Sequence, residues 1–336
     1  MRRILLSLAL SGCLLLSPVL AAEGEIPGAF PEAHPPQTFR DVEEGDWFVP
    51  YVEACAADGL LTGTGGDTFS PDGLVTRAQA VALAARIHQI AGGGEGTLPQ
   101  APKDWGVLTL TAADGTALTS TGHFGDGRFR WWTWKNTVEG WLCYELSPEE
   151  FAWAEAQDGQ PATLSTGGKT YSGVLDYWLP IGSPVLSFLP DTGETGAENQ
   201  AIRAAFFGTC QAAPGPGHWE RDAYYYVQRT GLAAGSGFDF TAAGDETATR
   251  LDLARLLAAA AGELLIPINQ ISSYPDARAE EEETVLTLYN AGILTGVDSA
   301  GSFSGGSPLT RAEMAAMAAR VARPELRISF SLEASG

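Results

Sequence analysis

The sequence predicts an α+β chain. A mostly α-helical unit is built from three copies of one helix–loop–helix repeat, and a separate small β-rich domain is inserted between the first and second copies. Three observations carry this. The tetrapeptide Thr-Arg-x-(Gln/Asp/Glu) recurs at Thr76, Thr249 and Thr310. In each copy a glycine (Gly59, Gly231, Gly292) precedes the arginine by 18, 19 and 19 residues. Arg77 and Arg250 lie 173 residues apart but Arg250 and Arg311 only 61, so roughly 112 residues of extra chain separate the first two copies.

In chain order, residues 1–21 come first. Arg2 and Arg3 precede an apolar run from Ile4 to Leu20, and Val19-Leu20-Ala21 offers a cleavage site. That layout is a secretory signal peptide, so export and a surface or wall location are expected. Cys13 follows Leu10-Ser11-Gly12 as in a lipidation site, but the run stays apolar beyond it. No later stretch is long and apolar enough to span a bilayer, so the mature chain is expected to carry no membrane span. The net charge of −21 is distributed along the chain and argues against a nucleic-acid partner. Cys55, Cys143 and Cys210 do not form a disulfide framework; Cys143 and Cys210 could pair. His34, His88, His123 and His218 are scattered, so no metal site or cofactor is expected. A monomer is expected.

The first copy covers residues 39–92. Val52, Cys55 and Ala56 have helical spacing before Gly59, a C-cap glycine. Thr76 with Gln79 forms a capping box, and Val81, Ala84 and Ile87 give the next helix an apolar face. The second copy, 217–263, has Thr249 with Asp252 and then Leu253, Leu256 and Leu257. The third, 272–323, has Thr310 with Glu313 and then Met314, Met317 and Val321. Thr and the residue three later are explained by capping. The arginine is not: a cation in the first turn opposes the helix dipole. Its recurrence at Arg77, Arg250 and Arg311 points to ligand contact, or else to a salt bridge between copies or helix-end packing.

These segments resemble the S-layer homology family. The resemblance rests on Phe39-Arg40-Asp41-Val42, Trp47, Gly59-Leu60-Leu61-Thr62-Gly63, Phe69-Ser70-Pro71 and Thr76-Arg77-Ala78-Gln79. In the third copy it rests on Tyr274-Pro275-Asp276, Ala291 to Gly296 and Leu309 to Glu313. It implies three repeats in a pseudo-threefold helical bundle that binds a secondary cell-wall polysaccharide, often through a pyruvylated amino sugar, and anchors the chain non-covalently. In some lineages the ligand is modified peptidoglycan. The implied glycan contacts are Arg77, Arg250 and Arg311, with Trp47, Trp219, Asp41, Asp276, Gly63, Gly235 and Gly296. An Arg fork suits a carboxylate, and a helix N-terminus attracts an anion. The chain departs from the family pattern at Gln79, in the missing Phe-x-Asp opening of copy two, and at Glu280, which takes the Trp position of copy three beside Glu281, Glu282 and Glu283.

Between the copies, residues 97–216 form the β-rich domain, flanked by Ala91-Gly92-Gly93-Gly94 and Pro214-Gly215-Pro216-Gly217. Strand-like runs occur at 107–110, 129–132, 141–144, 174–178 and 185–188, with short helices expected near 147–157 and 197–208. Seven of nine tryptophans fall here: Trp105, Trp131, Trp132, Trp134, Trp141, Trp153 and Trp178. Alternation sends Trp132 and Trp134 to one face and Trp131 to the other. Most are expected in a core; exposed ones could stack on sugars. Ser165 and Ser172 lack a nucleophile elbow. Glu139, Glu145, Glu149, Glu150 and Asp176 contain no pair that spacing selects. Catalysis is therefore not expected. The alternative reading is a wall-tethered carbohydrate-active or glycan-binding domain.

Overall fold

The computed structural model describes residues 29–103, 105–121, 128–133, 140–166, 169–178, 184–191, 217–240 and 244–332. Residues 1–21, Cys13, Trp134, Cys210 and the helix expected at 197–208 lie outside the described residues, as do the side chains of Trp131, Trp132 and Trp141. The chain is mixed α+β. Among the described residues the helices are α1 (Val49–Ala57), α2 (Arg77–Ala91), α3 (Phe151–Ala156), α4 (Arg221–Arg229), α5 (Leu232–Ser236), α6 (Arg250–Ala261), α7 (Glu282–Asn290) and α8 (Arg311–Ala322). None is long and apolar enough to cross a membrane.

Local chemistry explains where these helices begin and stop. Pro50 sits in the first turn of α1, where its missing N–H costs nothing. Gly59, Gly231 and Gly292 leave their helices in the left-handed region, with φ of 69°, 79° and 72°. Thr76, Thr249 and Thr310 each accept a bond from the N–H three residues later, while Gln79, Asp252 and Glu313 return the bond to the threonine N–H. All three capping boxes are thus complete. The stretch after the glycine differs in 217–263, where Leu232–Ser236 winds into the short helix α5.

The three helix starts meet around a closed ring of backbone hydrogen bonds. Val75 N–H donates to Leu309 O at 2.9 Å, Leu309 N–H to Ala248 O at 3.0 Å, and Ala248 N–H to Val75 O at 2.8 Å. All three residues are fully buried. The ring satisfies polar groups that water cannot reach. One step along, the N–H groups of Arg77, Arg250 and Arg311 donate to Glu246 O, Ser307 O and Gly73 O. Each helix N-terminus is therefore completed by a different segment of the chain. Around the ring, Leu83, Ile87, Leu256, Leu257, Met314 and Val321 belong to one continuous apolar core.

The remaining described chain is a curled, antiparallel sheet of seven strands in the order β2-β1-β5-β6-β7-β4-β3. The strands are β1 (Val107–Ala112), β2 (Ala117–Thr121), β3 (Phe129–Thr133), β4 (Gly140–Glu145), β5 (Pro161–Thr166), β6 (Lys169–Trp178) and β7 (Val185–Pro190). Five match expected runs. β2 and β5 were not expected, because their alternating positions carry threonine, serine and alanine and few large apolar residues. Leu108, Leu110, Leu164, Leu175, Leu186 and Phe188 make a second core, closed by Ala154 of α3. α3, with the 3-10 turn Pro148–Glu150 before it, is the helix expected near 147–157. Trp105 departs from the expected domain: with Ala101 it joins the helical core, its ring 5.5 Å from that of Tyr225 and 5.2 Å from the Arg221 guanidinium.

Candidate functional site

The three recurring arginines are buried, with exposures of 8%, 6% and 7% for Arg77, Arg250 and Arg311. Each reaches across to another segment. Arg77 Nη1 donates to Asp252 Oδ2 at 2.8 Å, Nη2 donates to Asp239 O, and the guanidinium lies 4.2 Å above the Phe238 ring. Arg250 Nη1 donates to Glu313 Oε1 at 2.9 Å and Nε to Phe303 O at 3.0 Å. Arg311 donates from Nε to Phe69 O and from Nη2 to Thr62 O, both at 2.8 Å, and stacks 4.6 Å from the Phe69 ring. The salt-bridge alternative therefore holds for Arg77 and Arg250. The cation that a helix N-terminus disfavours is offset by a carboxylate from the next helix start. Arg311 has no such partner among the described residues, because the corresponding capping residue is Gln79. Burial lowers the Arg311 pKa from its ordinary value, and the nearby Asp41 charge partly restores it.

The two aspartates expected at the glycan are committed elsewhere. Asp41 accepts from Phe69 N–H at 2.8 Å and Ser70 N–H at 2.7 Å; Asp276 accepts from Phe303 N–H and Ser304 N–H, both at 2.7 Å. Among the described residues, Ser70 and Ser304 are the non-glycine residues with positive φ, 59° and 54°. Each carboxylate thus fastens a strained turn next to a buried phenylalanine, Phe69 or Phe303. For Asp41, burial raises the pKa, but the two N–H donors outweigh it and the carboxyl sits below its ordinary 3.8. A depressed folded-state pKa stabilises at neutral pH, and that contribution disappears as pH falls through the folded-state value. Asp41→Asn is therefore expected to destabilise most near neutral pH. In urea titrations the gap to the parent should narrow between about pH 5 and about pH 2; a gap independent of pH would refute the assignment.

Two grooves share one plan. The first, about 410 Å³, is lined by Leu61 to Thr64, Gln79, Ala82, Arg86, Trp219, Arg311 and Met314. The second, about 220 Å³, is lined by Ile293 to Val297, Arg250, Glu313, Arg320 and Trp47, with Ala316 and Met317. Trp219 and Trp47 are 63% and 58% exposed, unusual for indoles and suited to stacking on a sugar ring. Gly63 and Gly296 lie in the groove loops. A Cβ on Gly63 would meet Thr68 O at 2.6 Å, and one on Gly296 would meet Gly301 Cα at 2.5 Å, so both glycines have steric reasons. Gly235 has no neighbour within 4 Å and is an ordinary helical glycine of α5.

Sequence reading missed Arg86 and Arg320. The available signal was position: each follows its capping residue, Gln79 or Glu313, by seven residues, two helical turns along the same face. Arg320 is held by Ile293 O and Tyr51 Oη, both at 2.9 Å, whereas Arg86 donates only to Leu60 O, at 3.3 Å.

In the sheet, Glu150 is tied to Arg128. Asp176 is raised above its ordinary value by burial and then by Asp158. Cys143 is buried with Sγ 3.2 Å from Ser187 Oγ, and burial pushes its thiol up to about 11. The pairing with Cys210 falls outside the described residues. Cys55 is the buried small residue expected. No cluster of His, Cys, Asp or Glu among the described residues could hold a metal ion.

Helix starts interlocked across segments, with tryptophan- and arginine-lined grooves beside them, make up a helical unit that a β domain interrupts. Residues 38–81 and 273–315 match the model of the S-layer homology domain, so the chain carries two such domain copies flanking a central insert. These domains are cell-wall anchoring modules that bind wall polymers, which associates the chain with the cell surface or wall. No curated protein matches the chain.

Proposed function

We propose that residues 217–263 are a third, divergent repeat, and that the three repeats form a pseudo-threefold unit anchoring the exported chain to the bacterial wall. The closed hydrogen-bond ring and the three complete capping boxes support the threefold reading. The ligand is a secondary wall polysaccharide with acidic sugar residues, held in the inter-repeat grooves, and the β domain is displayed outward. One observation carries this: an exposed tryptophan faces buried arginine in each of the two grooves. The indole offers a sugar-stacking face and the arginines offer donors to a carboxylate. Groove cations favour an acidic sugar over peptidoglycan decorated with a diamine.

The test is co-sedimentation with wall sacculi. The protein should pellet with sacculi that retain their polysaccharide and stay in solution once that polymer is stripped. Equal pelleting with both preparations would overturn the reading.

A further inference from the structure

We propose that anion binding is confined to the groove of Arg311, Arg86, Gln79 and Trp219, because the other inter-repeat positions neutralise their own arginines. This rests on the anchoring function proposed above and narrows it to one site and one ligand chemistry: a carboxylate-bearing sugar.

The charge inventory differs at the three positions. Where Arg77 sits, Asp252 takes its Nη1, and the charge of the buried Glu281 is offset in part by Arg278 and Arg255. No tryptophan stands there, since copy three has Glu280 instead. Where Arg250 sits, Glu313 takes Nη1, and Arg320 is occupied by a backbone carbonyl, the Tyr51 hydroxyl and the Tyr51 ring 4.8 Å away. Where Arg311 sits, Nη1 makes no hydrogen bond among the described residues. The Gln79 side chain is neutral; its Oε1 accepts from Thr76 N–H at 3.1 Å. No carboxylate lines this groove. At the position that corresponds to Tyr51 the second copy has Ala223, whose side chain cannot accept a hydrogen bond.

The atom consumed by a carboxylate in two arginines is thus available in the third. A ligand carboxylate entering here meets two cations and no competing acid. At the Arg250 groove it must displace or sit beside Glu313, which costs desolvation and like-charge repulsion. The carboxylate whose charge acts on Arg311 is Asp41, and its oxygens accept from Phe69 N–H and Ser70 N–H. Trp219 supplies the stacking face at the same groove.

The capping position makes a fold-preserving test possible, because Gln and Glu both complete the box at this site in this chain. Three proteins are compared: the parent, Gln79→Glu, and the double variant Gln79→Glu/Glu313→Gln. The first readout is co-sedimentation with polysaccharide-bearing sacculi. The second is NMR of arginine Nε–H groups during titration with sodium glucuronate. Gln79→Glu should weaken sacculus binding at least tenfold at a Tm no lower than the parent's, since it gives the buried Arg311 a counter-charge. Glucuronate should shift Arg311 and Arg86 in the parent and Arg250 in the double variant. Undiminished binding by Gln79→Glu, or parent shifts centred on Arg250 or Arg77, would overturn the single-groove inference while leaving wall anchoring intact. Glucuronate shifts at Arg311 in a parent that ignores sacculi would instead support the groove and overturn the anchoring function.

Discussion

Asp252→Ala is expected to cost about 3–5 kcal/mol of folding stability, the usual penalty for removing one partner of a buried ion pair. Asp252 Oδ2 accepts from Thr249 N–H, from the Thr249 hydroxyl and from Arg77 Nη1, all at 2.8–2.9 Å. Both side chains of the pair are about 10% exposed. Truncation therefore leaves a buried guanidinium without a counter-charge and also removes half of the α6 capping box, the bond from Thr249 N–H. Arg77 Nε already lacks a partner, so the remaining charge has little to fall back on. Urea unfolding measures the loss. A double-mutant cycle with Arg77→Met should show coupling of about 1–3 kcal/mol, since Arg77→Met removes the stranded charge. Strict additivity would mean that the pair does not lock the two helix starts together.

Gly296→Ala is expected to destabilise by about 2–4 kcal/mol, combining a left-handed backbone with overpacking. Its φ is 84°, and the added methyl would lie 2.5 Å from Gly301 Cα and 2.6 Å from Gly301 C, atoms of the main chain that cannot rotate away. Gly235→Ala provides the contrast. It lies inside α5 with open space around it, so alanine should be neutral or stabilising by up to about 1 kcal/mol. Thermal unfolding of the two variants would separate a steric glycine from a free one. Similar losses at both positions would contradict the difference in packing between the loops.

Much of the helical unit was legible in the sequence because its signals are local. The caps at Thr76, Thr249 and Thr310, the left-handed glycines that end α1, α4 and α7, and the apolar faces of α2, α6 and α8 all depend on neighbours within a turn or two. Five of seven strands were legible from large apolar and aromatic residues. β2 and β5 were not, since Thr-rich segments such as Ala117–Thr121 become strands by pairing with β1 along its whole length. The site was legible in part. Trp47 and Trp219 do stand exposed at grooves, whereas Asp41 and Asp276 support turns 27 to 29 residues further along the chain.

Read along the chain, the residues supply an inventory: a repeated helix start, its capping residues, and an arginine after each threonine that no local rule explains. What each arginine meets depends on how the folded chain brings distant segments together. Arg77 finds its acid 175 positions along the chain and Arg250 finds its own 63 positions along, while Arg311, bonded to Phe69 O and Thr62 O, finds none among the described residues. The reason is that charge pairing depends on distance in space. A capping box can be read within four residues, but a circle of three helix starts balances its charges only after it has closed.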